Sequence, residues 1–62
     1  MGKIIKTYEA KSGEVTITQY GDGSRTEYLV KHSNDDLHFA STWFMRNQKT
    51  DAIAHAQFLA RY

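Results

Sequence analysis

The sequence predicts an α+β fold: a four-stranded antiparallel β-meander with one C-terminal α-helix packed on one face of the sheet. Three observations predict it: four runs rich in β-forming residues, turn-forming residues between them, and a last segment with apolar residues at helical spacing. The chain has 62 residues, so we expect one small domain over residues 1–62. A domain this short buries only about 60% of its unfolded surface, which leaves little interior for a pocket.

Each strand run is bounded by residues that favour turns. The runs are residues 3–11, 14–21, 24–32 and 37–44. The separators are Ser12-Gly13, Gly21-Asp22-Gly23 and residues 33–36. Glycine accepts positive φ, and Asn and Asp side chains bond their own backbone, so these residues favour turns. Asp-Gly between two alternating runs is the strongest short-range hairpin signal in the chain.

The turns also predict which side chains share a face. We expect two-residue turns at Ser12-Gly13 and Asp22-Gly23 and a four-residue turn at 33–36. The resulting pairs are Tyr8 with Ile17, Ile17 with Tyr28, Val15 with Val30, Tyr20 with Arg25, and Val30 with Phe39. All three turns select one inner face, made of Ile4, Tyr8, Ala10, Val15, Ile17, Tyr28, Val30, Leu37, Phe39 and Trp43.

Lys6 is the exception on this predicted inner face. Either its stem lies along the sheet edge with the ammonium in water, or the register of the first strand differs from the prediction. The sequence is compatible with both alternatives.

The last segment predicts a helix. Thr50 is a good N-cap, and Asp51 suits the first turn, where the helix dipole favours an anion. The apolar residues on one stripe are Ala52, Ile53, Ala56, Leu59 and Ala60. We expect this stripe to lie on the inner face of the sheet. The start of the helix is open, because residues 43–49 could extend the strand, form a loop, or begin the helix after Ser41 or Thr42.

The opposite side of the predicted helix is not polar. Phe58 and Tyr62 cluster there with Ala54, flanked by His55 and Asp51. One interpretation is two partly exposed aromatics on a small protein. The other is a surface for a partner or for self-association, since aromatics anchor interfaces. The exposure of Phe58 distinguishes the two.

One corner of the predicted outer sheet face also differs from a plain solvated surface. We expect Tyr20, Arg25 and Phe44 to be neighbours there, with Ile5 beside Tyr20. Tyr and Arg are enriched among interface hot spots, so these residues are candidates for partner binding. The alternative is a self-contained cluster in which Arg25 stacks on an aromatic ring.

A nucleic-acid-binding module that uses the outer sheet face is the second hypothesis. Tyr20 and Phe44 could stack on single-stranded bases. The formal net charge is only +1, however, and the basic residues are spread along the chain. The outer face offers Arg25 and Lys31 but also Glu27, so the basic footprint of a nucleic-acid binder is weak.

Catalysis and metal binding find little support. The chain has no cysteine, and no serine lies in a nucleophile elbow, so we expect neither an enzyme nor a cofactor. His32, Asp35, Asp36 and His38 lie close together around one turn. We expect the two histidines to point to opposite faces, so no metal site is predicted.

The sequence therefore predicts a small cytoplasmic protein that binds another protein and occludes its site, such as a phage- or plasmid-type inhibitor or accessory factor. Its predicted partner-binding residues are Tyr20, Arg25, Phe44, Phe58 and Tyr62. A homodimer through the helix side or the sheet edges also fits a domain this small. No apolar run reaches the ~18 residues of a membrane span, so no membrane association is expected.

Overall fold

The computed structural model describes residues 2–34 and 41–62. In them, four antiparallel strands form one sheet in the order β1-β2-β3-β4, and a C-terminal helix packs against it, which confirms the predicted α+β meander. The elements are β1 (Lys3–Ala10), β2 (Gly13–Tyr20), β3 (Glu27–His32), β4 (Ser41–Met45) and α1 (Lys49–Leu59), with 3₁₀ turns at Gly23–Arg25 and Arg46–Gln48. Within this part of the chain, no helix has the length and apolar character needed to cross a membrane.

The core lies between the two central strands and α1. Its buried members are Val15, Ile17, Tyr28, Val30, Ala52, Ala56 and Leu59. Ile53 and Ala60 pack against them, so the predicted apolar stripe of the helix is confirmed. Burying a branched aliphatic side chain contributes about 1.5–3 kcal/mol relative to leaving it exposed, so this small cluster dominates the stability of the fold.

The turn between β1 and β2 differs from the prediction. Ala10 pairs with Gly13 and Tyr8 pairs with Val15, so the turn is formed by residues 11–12 and the register is two residues away from the predicted one. A slip of two residues leaves every side chain on its predicted face, because the side-chain period of a strand is two. Tyr8 and Ala10 accordingly still pack against the core.

A bulge interrupts the first half of β1. The register shifts between Ile4, which pairs with Thr18, and Lys6, which pairs with Ile17. One extra residue reverses the alternation. Ile5 therefore packs against the core, and Ile4 is exposed on the other face, so the predicted placement of these two residues is wrong. Lys6 pairs with Ile17 and so stays on the helix side although the register changes, and its exposed side chain places the ammonium 5.6 Å from the centroid of the Tyr8 ring, in agreement with the first alternative.

The connection from β2 to β3 is longer than the predicted two-residue turn. Tyr20 pairs with Glu27, which leaves residues 21–26 as a loop around a 3₁₀ turn. The Arg25 N–H donates to the Asp22 carbonyl over 3.0 Å. This hydrogen bond favours the 3₁₀ turn over a tight hairpin. The slip is again two residues, since Ile17 pairs with Val30, so the faces of β2 and β3 agree with the prediction.

The predicted faces are also wrong in β4. Val30 pairs with Thr42 instead of Phe39, a slip of three residues. An odd slip exchanges the two faces of a strand. Phe44 therefore packs against the core and Trp43 is exposed, the reverse of the prediction. The predicted inner residues Leu37 and Phe39 lie outside the described residues.

The junction between β4 and α1 resolves the open start of the helix. The strand ends at Met45, the 3₁₀ turn follows, and α1 begins at Lys49. Thr50 is not the N-cap, because Gln48 holds that position. The Gln48 side chain instead turns back, and its Oε1 accepts the Met45 N–H over 3.0 Å. Asp51 lies in the first turn, as predicted.

Candidate interaction surface

The sheet face turned away from α1, the outer face, carries exposed apolar side chains. The strand register aligns Ile4, Thr18, Leu29 and Trp43 in one row across all four strands, and Tyr20, Glu27 and Met45 in the next. The exposed fractions are 59% for Ile4, 56% for Trp43 and 66% for Met45. We call Ile4, Tyr20, Leu29, Trp43 and Met45 the apolar patch.

Two rings form the centre of the apolar patch. The ring centroids of Tyr20 and Trp43 are 5.3 Å apart, at an interplanar angle of 48°. Because these residues lie on β2 and β4, the rings meet above β3. Gly2 closes in from the other side, since a Cβ built there would lie 2.5 Å from Tyr20 Cε1 and 2.7 Å from Thr18 Cγ2. The Tyr20 ring is thus held between two neighbours, and a pre-positioned ring loses less entropy on binding.

On the described strands, the charges of the outer face are mostly acidic. Glu9 and Glu14 lie opposite each other at the end remote from the patch, and Glu27 lies within the Tyr20 row. Lys31 is the basic residue that the register places among them. Glu14 and Lys31 also line a shallow depression with Thr16 and Ser33. Nucleic-acid affinity depends on cations that meet phosphates, so this face is poorly suited to it.

The structure does not bring Tyr20, Arg25 and Phe44 together, so the predicted corner is wrong. Tyr20 lies in the apolar patch, opposite Glu27. Arg25 is exposed in the 3₁₀ turn beyond the strand end. Phe44 lies on the helix side, against the core, with its ring 5.5 Å from the His55 ring. Ile5 is on the helix side as well, because of the β1 bulge.

The predicted helix surface consists of a chain of rings. His55 and Phe58 have ring centroids 6.1 Å apart, and Phe58 and Tyr62 5.7 Å apart, in continuation of the Phe44–His55 contact. The exposed fractions are 43% for Phe58 and 40% for Tyr62. Phe58 is therefore not buried, as a contact surface requires. Binding through Phe58 and Tyr62 stays a prediction.

The sequence missed most of the apolar patch. Tyr20 is the member of the patch that the sequence predicts on the outer face as a candidate for contacts. The sequence predicts Trp43 and Ile4 on the core face, but both are exposed on the other face. Trp43, Phe44 and Met45 form a continuous apolar run, so β4 has no alternation from which its faces could be read.

His32 is the buried polar side chain of the core. It lies opposite Val15 with no exposed surface, and its Nδ1 accepts the Asn34 N–H over 2.9 Å. Its Nε2 has no hydrogen-bond partner in the described part of the chain. Asp35, Asp36 and His38 lie outside the described residues. Among residues 2–34 and 41–62, no three His, Cys, Asp or Glu side chains gather to hold a metal ion.

No protein-family model, curated protein or solved structure matches this chain. Its candidate contact surfaces are therefore those that its own geometry exposes, the apolar patch and the ring chain beside α1. The apolar patch has the more exposed side chains of the two.

Proposed function

We propose that this protein is a non-catalytic binding protein that docks a partner protein through the apolar patch. The observation that carries the proposal is that Ile4, Trp43 and Met45 lie in adjacent rows of one face, each more than half exposed. Contiguous exposed apolar patches mark interaction sites on small proteins. A Trp and a Tyr in contact at the centre provide the aromatic anchors that dominate binding energy.

The composition of the outer face favours a protein over a nucleic acid as the partner. The Tyr20 and Trp43 rings could stack on bases, but the charged residue in their rows is Glu27, whereas Glu14 and Lys31 lie towards the other end of the face. Carboxylates repel a phosphate backbone, whereas a protein surface can place an apolar centre on the rings and a basic group near Glu27. The proposed partner therefore presents an apolar surface with a basic margin.

The layered architecture supports occlusion as the mode of action. The apolar patch and α1 lie on opposite faces of one sheet, so a partner bound to the patch leaves the helix layer facing solvent as a cover over its site. The proposal includes the cytoplasmic location, supported by a sequence without cysteine. A small inhibitor or accessory factor of the phage or plasmid type would act in this way.

Site-specific photo-cross-linking in cells of the source organism tests the proposal. A photoreactive amino acid in place of Met45 should capture a protein of one defined mass. The same group in place of Thr7, an exposed residue at the polar end of the outer face, is the matched control and should capture little. Trp43→Ser should reduce affinity for the captured protein by at least about thirtyfold, the loss expected for a hot-spot residue.

Two results would overturn the proposal. Equal capture from positions 45 and 7 would mean that the apolar patch has no privileged role. If the photoreactive amino acid captures the protein from the place of Phe58 but not from the place of Met45, the binding site is formed by the rings beside α1. A Lys31→Ser variant changes the outer face outside the patch and should bind the captured protein with normal affinity. The loss of affinity in Trp43→Ser is then specific to the patch.

A further inference from the structure

We propose that the free edge of β4 pairs with β4 of a second copy of this chain, which gives a two-fold symmetric dimer. The proposal uses a sheet edge and does not rest on the docking of a partner to the outer face. β4 ends the sheet, and among the described residues no strand pairs with its far side. The backbone geometry and the distribution of charge on the two edges both support this pairing.

The direction of the backbone groups follows from one hydrogen bond. The Ser33 N–H donates to the Glu14 carbonyl over 2.9 Å, so Ser33 directs its backbone groups towards β2. In an antiparallel sheet, successive residues direct their N–H and C=O groups to alternate sides. Tyr28 and Val30 therefore direct theirs towards β4.

The partners of these residues fix the orientation of β4. Phe44 pairs with Tyr28 and Thr42 with Val30, so both direct their backbone groups into the sheet. The alternate residues of the strand, Ser41, Trp43 and Met45, then direct theirs towards the free edge. The bond between the Met45 N–H and Gln48 Oε1 agrees, since that N–H is not directed at β3.

The two edges of the sheet differ in their protection. β1 carries Lys3 and Lys6 and a bulge, and lysines and bulges are devices that block edge-to-edge pairing. β4, with the sequence Ser-Thr-Trp-Phe-Met, carries no charge. Two copies of β4 can therefore meet without like charges in contact. This asymmetry selects β4 as the edge that accepts a second copy.

One register uses the available groups in a two-fold arrangement. With Trp43 opposite Trp43 of the second copy, the two residues exchange both N–H···O=C bonds. The Ser41 N–H then reaches the Met45 carbonyl of the second copy, and the Met45 N–H keeps its bond to Gln48. The two Trp43 side chains lie side by side on the outer face, so the dimer joins two apolar patches into one.

A cysteine scan of the natural cysteine-free chain tests this register. Directly opposed residues have Cα atoms about 5.5 Å apart, within disulfide range, so Trp43→Cys should oxidise to a covalent dimer. Ser41→Cys is the matched control. Its own copy would lie about 13 Å away along the strand, so it should not cross-link alone, but it should cross-link to Met45→Cys. Equal cross-linking of both single variants, or none at position 43, would contradict the register.

A second measurement keeps Trp43 in place. Sedimentation equilibrium of the purified chain should show a reversible dimer. Ser41→Pro removes an edge-directed N–H, and with it two intermolecular bonds per dimer, so the Kd of dimerisation should rise at least about tenfold. Thr7→Pro makes the same change on the outer edge of β1 and should leave that Kd unchanged. A wild-type chain that remains monomeric at millimolar concentration, or a dimer indifferent to Ser41→Pro, overturns the proposal and leaves partner docking untouched.

Discussion

Gly21 shows at the scale of one residue why the loop between β2 and β3 has its shape. Its φ is +71°, in the left-handed region, and a Cβ built on it would lie 2.5 Å from the carbonyl oxygen of Arg25. Gly23 also has a positive φ, of +56°, but has no atom within 4 Å of that position. Both positions favour glycine for its positive φ, and Gly21 also for the close approach of the Arg25 carbonyl.

We expect Gly21→Ala to lower the free energy of unfolding by more than about 2 kcal/mol, because left-handed strain adds to a backbone clash. Gly23→Ala should cost about 1 kcal/mol, from strain alone. Urea denaturation of the two variants measures the difference. Equal losses would mean that the Arg25 carbonyl moves freely out of the way.

The same residues show what the sequence could predict here. Gly21, Asp22 and Gly23 correctly indicate a turn, because glycine and aspartate favour turns in any context. They do not decide between a two-residue hairpin and a longer loop. That choice depends on the bonds of Thr26, whose Oγ1 donates to the Gly23 carbonyl over 2.9 Å.

Among the strands, the difference between a correct and a wrong prediction is the parity of the register. β2 alternates clearly, with Val15 and Ile17 separated by the polar residues Glu14, Thr16 and Thr18, so its predicted faces are correct although the registers set by both of its turns differ from the prediction by two residues. In β4 and at the start of β1, apolar residues are direct neighbours, Trp43-Phe44-Met45 and Ile4-Ile5, so the pattern cannot detect an odd slip or a bulge. Three of the five residues of the apolar patch, Ile4, Trp43 and Met45, lie on these two segments.

The reversed faces of β4 make a prediction about stability. Phe44→Ala should lower the free energy of unfolding by about 2 kcal/mol, less than the 3–5 kcal/mol for a fully buried Phe because this ring is only partly buried. Trp43→Ala should lower it by about 1 kcal/mol, less than Phe44→Ala, since its side chain is more than half exposed on the outer face and loses mainly its contact with the Tyr20 ring. Denaturant unfolding of both variants provides the comparison. A larger loss at Trp43 would return that residue to the core.

Across the whole molecule, the two faces of the sheet have separate roles. The helix side of the sheet holds the core. At the end of the sheet near the β1–β2 turn, hydrogen bonds connect three segments: Ser12 Oγ donates to the Tyr62 carbonyl and accepts from Asn34 Nδ2 over 3.3 Å. The outer face contributes little to the core, so its side chains can serve contacts. The apolar patch lies at the opposite end of the sheet from these hydrogen bonds, beside the loop of residues 21–26.

The charged residues also differ between the two faces of the sheet. The formal net charge of +1 conceals an outer face on which the strands carry Glu9, Glu14 and Glu27 against Lys31. The basic residues of β1 lie on the helix side of the sheet, where Lys6 is beside Tyr8. In the described part of the chain, the strand residues of the outer face therefore form no continuous basic groove beside the aromatic centre, which a single-stranded nucleic acid would need.

We accordingly expect that the protein does not retard a single-stranded oligonucleotide in a mobility-shift assay at low salt. The Arg25→Ala variant should give the same result in that assay. The fluorescence of Trp43, the sole tryptophan of the chain, gives an independent measurement, because bases stacked on its exposed ring would quench it. A shift that weakens steeply with added salt, with quenching of Trp43, would instead show phosphate contacts beside the rings. That outcome would replace the protein partner by a nucleic acid on the same apolar patch.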